Sequence, residues 1–237
     1  MKLIDHTLPS PAENLAADEA LLDAAEAGGD EVVRFWESPD VFAVVGYANK
    51  VASEVNLSAC EAAGVPILRR CSGGGTVLQG PGCLNYALVL RIVEDGPFET
   101  IGAANWTIME RNRTALDTLL QRIVEVRGHT DLTVDGLKFS GNSQRRRKHF
   151  LLFHGTFLLN FDLSLVSRYL PMPSKQPDYR NARSHADFVT NLNVSAETVK
   201  AALAATWHAK GASDVSLEDV GRLVAQKYGR QEWNFKF

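Results

Sequence analysis

Two hydrophobic periodicities run along this chain of 237 residues. Residues 14–27 (NLAADEALLDAAEA) follow directly on Ser10-Pro11-Ala12-Glu13. A serine three residues ahead of a glutamate reads as a capping box, and proline suits the first helical position. A helix is predicted here, ending at Gly28-Gly29. From about residue 100 to 126, apolar side chains recur at Ile108, Ala115, Leu119 and Ile123 with arginines and aspartates between them, which predicts one long amphipathic helix. Two further helices are predicted over 196–210 and 217–228.

The other apolar segments are short and rich in Val, Ile and aromatic residues: VVRFWES, VFAVVGY, VPILRR and LNYALVLRI, separated by Pro, Gly and Asn. They read as strands. In TVDGLKF the Asp135-Gly136 pair is a hairpin turn signal. A second strand pair is predicted to flank the basic turn Arg145-Arg146-Arg147-Lys148, its later member being FLLFHGTFLLNFD. Strands and helices mix without regular alternation and without internal repeats. The expectation is one α+β domain over residues 1–237, with a mixed, largely antiparallel sheet flanked by helices.

Composition narrows the function. Hydrophobic residues make up 45% of the chain and charged residues 22%, as in ordinary globular proteins. A net charge of -3 argues against a nucleic-acid partner, whose phosphates call for concentrated Lys and Arg. No apolar run approaches the ~18 residues of a membrane span, and residues 1–22 lack the apolar core of a signal peptide. Three cysteines, Cys60, Cys71 and Cys83, have the spacing of neither a disulfide framework nor a zinc site. A cytoplasmic protein with no protein-bound metal is expected.

Candidate chemistry lies in three segments. Arg69-Arg70-Cys71-Ser72-Gly73-Gly74-Gly75-Thr76-Val77 places three glycines between two strands, beside two arginines. Such a loop either brings backbone amides close to a phosphate or carboxylate or is a simple hairpin turn. It has neither the Gly-Lys-Ser/Thr ending of a P-loop nor the G-x-G-x-x-G spacing. Asn85, after a second glycine pair, either meets a ligand or satisfies its own turn. In Leu137-Lys138-Phe139-Ser140-Gly141, alternation puts Lys138 and Ser140 on the face opposite Leu137 and Phe139. A lone strand lysine is by default an edge charge in water. His154, with Gly155 after it, reads alone as a satisfied core histidine.

Taken in order, Arg69-Arg70-x-Ser72-Gly73-Gly74-Gly75, Leu84-Asn85-Tyr86, Lys138-x-Ser140-Gly141-Asn142-x-Gln144-Arg145 and His154-Gly155-Thr156 resemble the lipoate-protein ligase and octanoyltransferase superfamily. The likeness extends to Asn14–Glu19, Arg183-Ser184, Val189–Leu192 and Glu232–Phe235. It implies the biotin/lipoate-ligase fold, related to class II aminoacyl-tRNA synthetases. It further implies that Arg70 and Ser72–Gly75 line an acyl-adenylate site together with Thr76, Val77, Ser140, Gly141, His154 and Gly155. By the same resemblance Asn85 contacts the phosphate or its metal, and Lys138 meets the acyl carbonyl and phosphate oxygens during transfer. Departures from the family pattern are Gly46-Tyr47-Ala48-Asn49, where many ligases carry Gly-Arg-x-Gln, and Cys71 within the glycine motif. The chain stops at Phe237, where longer ligases begin an accessory domain; a separate polypeptide or no such domain at all is then implied.

The expected activity is ATP-dependent: lipoate is activated with Mg²⁺ as lipoyl-AMP and passed to a lysine of a lipoyl domain or H-protein-like carrier. A transferase that takes octanoyl from acyl carrier protein through a cysteine thioester is the alternative. No cysteine stands in residues 127–131, shortly before the lysine, or after Cys83, the positions those transferases use. A non-catalytic lipoate-binding protein is the reading from another class. The basic turn at 145–148 is either a solvated loop or a docking patch for an acidic carrier.

Overall fold

The computed structural model describes residues 1–237. Ten strands form two sheets: β1 (Lys2–Asp5), β2 (Val32–Trp36), β3 (Phe42–Val45), β4 (Ile67–Arg69), β5 (Val77–Gln79), β6 (Cys83–Arg91), β7 (Val124–Arg127), β8 (Asp131–Val134), β9 (Leu137–Arg146) and β10 (Phe150–Leu158). Eight α-helices join them: α1 (Pro11–Glu26), α2 (Val51–Glu54), α3 (Leu57–Ala63), α4 (Ile101–Leu120), α5 (Ser164–Tyr169), α6 (Ala196–Thr206), α7 (Leu217–Leu223) and α8 (Gln231–Asn234). The large sheet has the order β1-β2-β6-β10-β9-β8-β7, antiparallel except for β1 with β2. The small sheet is β4-β3-β5. This is the mixed, largely antiparallel α+β architecture that the pattern predicts. No helix is long and apolar enough to cross a membrane.

The core has three clusters: two lie on opposite faces of the large sheet through strand alternation, and the third packs the small sheet against α3 and α5. Ala87 and Val89 of β6, in register with His154 and Leu152 of β10, face α1 and the small sheet. Tyr86, Leu88, Phe153 and Phe157 face the other way, onto α4 and α6. Helix α1 starts at the expected capping box: Ser10 Oγ accepts from Glu13 N, and the Glu13 carboxylate accepts from Ser10 N. A cap of this kind contributes about 1 kcal/mol. The helix is buried over most of its length, Asn14 to Leu22, so it is a central pillar and not an amphipathic cover.

The structure corrects two expected elements. The helix predicted to 126 ends at Leu120, where Gln121 turns left-handed at φ 50°. Asp117 then accepts from Val124 N at 2.8 Å, and Val124–Arg127 pairs with β8 as an edge strand. Ile123, expected on the apolar helix face, is 79% exposed. The basic turn is also shorter, because Arg145 and Arg146 are the last residues of β9. Arg146 donates to the Phe98 and Glu99 carbonyls and Arg147 pairs with Asp23, so these two are tied to their own fold, while Lys148 is exposed. The Asp135-Gly136 hairpin is as predicted, with φ of 50° and 74°.

Candidate active site

Between the α1 face of the large sheet and the small sheet lies a cavity of about 900 Å³, closed on one side by the irregular segment 171–189. Arg70, Gly74, Gly75, Thr76, Val77, Asn85, Lys138, Ser140, Gly141, His154 and Gly155 all line it. Ser72 and Gly73 do not; they stand just behind the lining.

The glycine loop joins β4 to β5, and Arg70 holds it from inside. The guanidinium donates through Nη2 to the Gly73 and Gly75 carbonyls at 2.5 and 2.7 Å, through Nε to Ser72 Oγ at 3.2 Å, and through Nη1 to the Val44 carbonyl. Burial pushes this arginine down to about 10, so it stays cationic at neutral pH. The amides of Gly73, Gly74 and Gly75 donate to no protein acceptor. Carbonyls gathered onto a buried cation, with amides left unused, make a loop suited to an anion. Arg70 is thus the organiser of the loop more than a free arm reaching for a phosphate. Gly46 permits the arrangement: a Cβ there would lie 2.0 Å from the Gly74 carbonyl oxygen.

Arg69 turns the opposite way. It donates to the carbonyls of Gly46, Tyr47, Asn49, Trp233 and Asn234, while Asn234 Oδ1 accepts from its backbone N. Residues 233–234 are thereby clamped to the back of the glycine loop. His154 is not isolated either. Its Nε2 lies 2.5 Å from Ser72 Oγ and its Nδ1 3.3 Å from Asp18 Oδ2, while Asp18 Oδ1 meets buried Arg34 at 2.6 Å.

Register sets the distances across the large sheet. Trp36, Asn85, Thr156, Gly141 and Asp131 stand in one row on adjacent strands. At about 4.8 Å per strand, Asn85 and Gly141 are roughly 10 Å apart. Lys138 folds back over Gly141, where a Cβ would lie 2.9 Å from Nζ, and its ammonium meets Asp131 Oδ1 at 2.8 Å. Tyr179 donates to Asp131 Oδ2 at 2.7 Å. At the far end of the row, Gln79 Nε2 donates to Thr156 Oγ1, whose hydroxyl donates to Asn85 Oδ1. Among the residues lining the cavity, Trp36 Nε1, Thr76 Oγ1, Gln79 Oε1 and Asn85 Nδ2 have no protein partner.

Residues 10–208 match the sequence profile of the Lipoyl protein ligase A/B catalytic domain. The chain belongs to that family. An octanoyltransferase LipM of Carboxydothermus hydrogenoformans is 31% identical, covering 100% of this chain and 98% of its own. The bi-partite lipoate protein ligase of Thermoplasma acidophilum superposes with a TM-score of 0.84 at 26% identity, over 99% of this chain and 95% of that one. A lipoate-protein ligase A bound with ATP gives a TM-score of 0.82 at 25% identity, over 99% of both chains. Relatives of this chain thus include an octanoyltransferase by sequence and lipoate ligases by sequence and structure.

Asp131, Tyr179, Trp36 and Gln79 are lining residues that sequence reading does not single out. Each reaches the site through sheet register or a long-range contact, so no local pattern marks them. The three thiols lie elsewhere. Cys60, Cys71 and Cys83 are all buried, and none lines the cavity. Burial, reinforced by the Glu19 carboxylate, pushes Cys71 up to about 12; burial likewise takes Cys83 to about 12.

Proposed function

We propose that this protein is an ATP-dependent lipoate-protein ligase whose catalytic domain is formed by residues 1–237, and that it works in the cytoplasm. The observation that carries this reading is the position of the thiols. A thioester route needs a thiolate nucleophile in contact with the acyl group. Here all three thiols are buried away from the cavity, two of them held far into the neutral form. Without an enzyme thiol the acyl group must be activated in another way before it meets the carrier lysine, and an adenylate formed in the same cavity would supply that activation.

Lipoate would enter with its carboxylate at Lys138 and its chain running across the row toward Asn85 and Trp36. Eight carbons span about that distance, and burial contributes about 0.8 kcal/mol per methylene. The carboxylate attacks the α-phosphate of ATP, giving lipoyl-AMP and pyrophosphate; the carrier lysine then attacks the acyl carbonyl and AMP leaves. Lys138 and the free glycine amides would stabilise the negative charge that develops on carbonyl and phosphate oxygens. Asn85 keeps an Nδ2 donor without a protein partner, which leaves it a group for the phosphate contact expected from sequence. Mg²⁺ is usually held by one or two carboxylates plus substrate phosphates, so it would come with the nucleotide. Exposed Arg127, His129 and Lys175 line the cavity and would face an acidic lipoyl domain or H-protein-like carrier. The likeness to a bi-partite ligase supports a separate accessory polypeptide as a further partner.

The second reading, octanoyl transfer from acyl carrier protein, is favoured by the likeness to an octanoyltransferase. Incubating the purified protein with ATP, Mg²⁺ and lipoate, with mass spectrometry for lipoyl-AMP, separates the two. Lipoyl-AMP followed by carrier lipoylation is expected. Acylation of the carrier from octanoyl carrier protein alone, with no adenylate under any condition, would overturn the ligase reading.

A further inference from the structure

Lys138 is fixed by more than its own strand. Its backbone N donates to the Phe188 carbonyl and its carbonyl accepts from Thr190 N, both at 2.9 Å, so the segment closing the cavity is pinned to the lysine itself. The same segment sends Tyr179 to Asp131, the carboxylate that holds the ammonium. The lysine and aspartate side chains are 25% and 15% exposed. A lone pair this accessible is worth little and holds its geometry loosely.

We propose that Tyr179 is a positioning residue for Lys138, acting through Asp131. A carboxylate turns easily about its terminal torsion. With Tyr179 hydrogen-bonded to Oδ2, the plane of Asp131 is set and Oδ1 stays on Lys138. One N–H of the ammonium is then committed to Asp131, and the other two are left to address the cavity. Tyr179 is itself rigid: its ring packs on Phe188 with centroids 5.2 Å apart and lies 3.5 Å from where a Cβ on Gly128 would sit. Burial, then the Asp131 carboxylate, raises its phenol well above the usual range, so it remains a neutral donor throughout the working pH. A donor misplaced by about 1 Å can cost on the order of a hundredfold in rate, so the aim of the ammonium matters more than its mere presence. The aim therefore depends on the closing segment being seated.

This inference rests on Lys138 being the group that meets the reacting acyl carbonyl, and holds for an adenylate or a thioester donor alike. It is tested by single-turnover acylation of a carrier lysine, using preformed lipoyl-AMP and, in parallel, octanoyl carrier protein. Wild type, Tyr179→Phe, Asp131→Asn and the double variant are compared, with thermal denaturation of each. Tyr179→Phe keeps the ring and removes only the hydroxyl. About tenfold slower transfer is expected, the scale of one hydrogen bond to a charged group, with acyl-donor binding within about twofold. In the Asp131→Asn background the same change should add less than about twofold, because the two act in series. Where Asp131→Asn fails to fold, Asp131→Ser closes the cycle. Wild-type rate in Tyr179→Phe, or a full tenfold loss on top of the Asp131 variant, overturns the proposal. A wild-type protein inactive with both donors overturns the reading of Lys138, and this inference with it; activity with octanoyl carrier protein alone overturns only the ligase reading.

Discussion

Ser72 Oγ lies 2.5 Å from His154 Nε2, joining the glycine loop to the middle of the large sheet. The contact is one link in a buried chain: Arg34 to Asp18, Asp18 to His154, His154 to Ser72, and Ser72 to the Arg70 guanidinium. Asp18→Ala strips Arg34 of its only carboxylate in a site that water does not reach. A loss of about 3–5 kcal/mol is expected, read as the shift in urea denaturation midpoint at constant slope. A change below about 1 kcal/mol would show that Arg34 is not dependent on Asp18.

Lys138→Ala should abolish acyl transfer and leave the melting temperature near wild type, since the side chain is partly exposed and fills no core. Gly141→Ala is the subtler probe. Its methyl group would meet Lys138 Nζ, the end of a flexible side chain, so the protein should fold while the ammonium is displaced. Transfer slowed about tenfold or more, with donor affinity nearly unchanged, is expected in stopped-flow acylation.

Arg70→Lys should fail to rescue what Arg70→Ala loses. One ammonium cannot hold the Gly73 and Gly75 carbonyls, Ser72 Oγ and the Val44 carbonyl in the fork that the guanidinium makes. Lipoyl-AMP affinity weaker by about tenfold to a hundredfold in both variants is expected by calorimetry. Full affinity in Arg70→Lys would mean that charge alone organises the loop.

Alkaline pH should weaken the fold through its thiols. Cys71 and Cys83 are held at about 12 when folded, against an ordinary 9.0. Between those values the unfolded chain releases protons that the folded one keeps, so stability is complete below about pH 9 and declines above it. Replacing Cys60, Cys71 and Cys83 together by Ala should flatten this decline in denaturant titrations from pH 8 to 10.5. The same triple variant should retain ATP-dependent lipoylation; its complete inactivity in a folded protein would install a thiol in the mechanism.

Much of this was legible in the sequence because it is local. The capping box set the start of α1, and the Asp135-Gly136 pair set its hairpin. The glycine, lysine and histidine motifs marked residues that do converge on one cavity. What stayed hidden depends on register or direction. Asp131 becomes a partner of Lys138 only because β8 sets it opposite Gly141, and Tyr179 arrives from a segment without regular structure. The double arginine was visible, but that Arg69 and Arg70 turn to opposite sides of the loop was not. The helix predicted to 126 failed where an acceptor from Asp117 and a free sheet edge outweighed the periodicity of a single apolar position.

The clamp made by Arg69 has a bearing on how the site comes into being. Its contacts to Gly46, Tyr47 and Asn49 span only 23, 22 and 20 positions in sequence, while those to Trp233 and Asn234 join positions 164 and 165 apart. Closing so long a stretch of chain is entropically slow compared with forming a local turn. The half of the brace supplied by residues 233 and 234 is therefore the slower half to close, whereas the half at residues 46–49 lies near the loop in sequence. A chain that has lost residues 233 and 234 would thus keep the motif with only half of its brace.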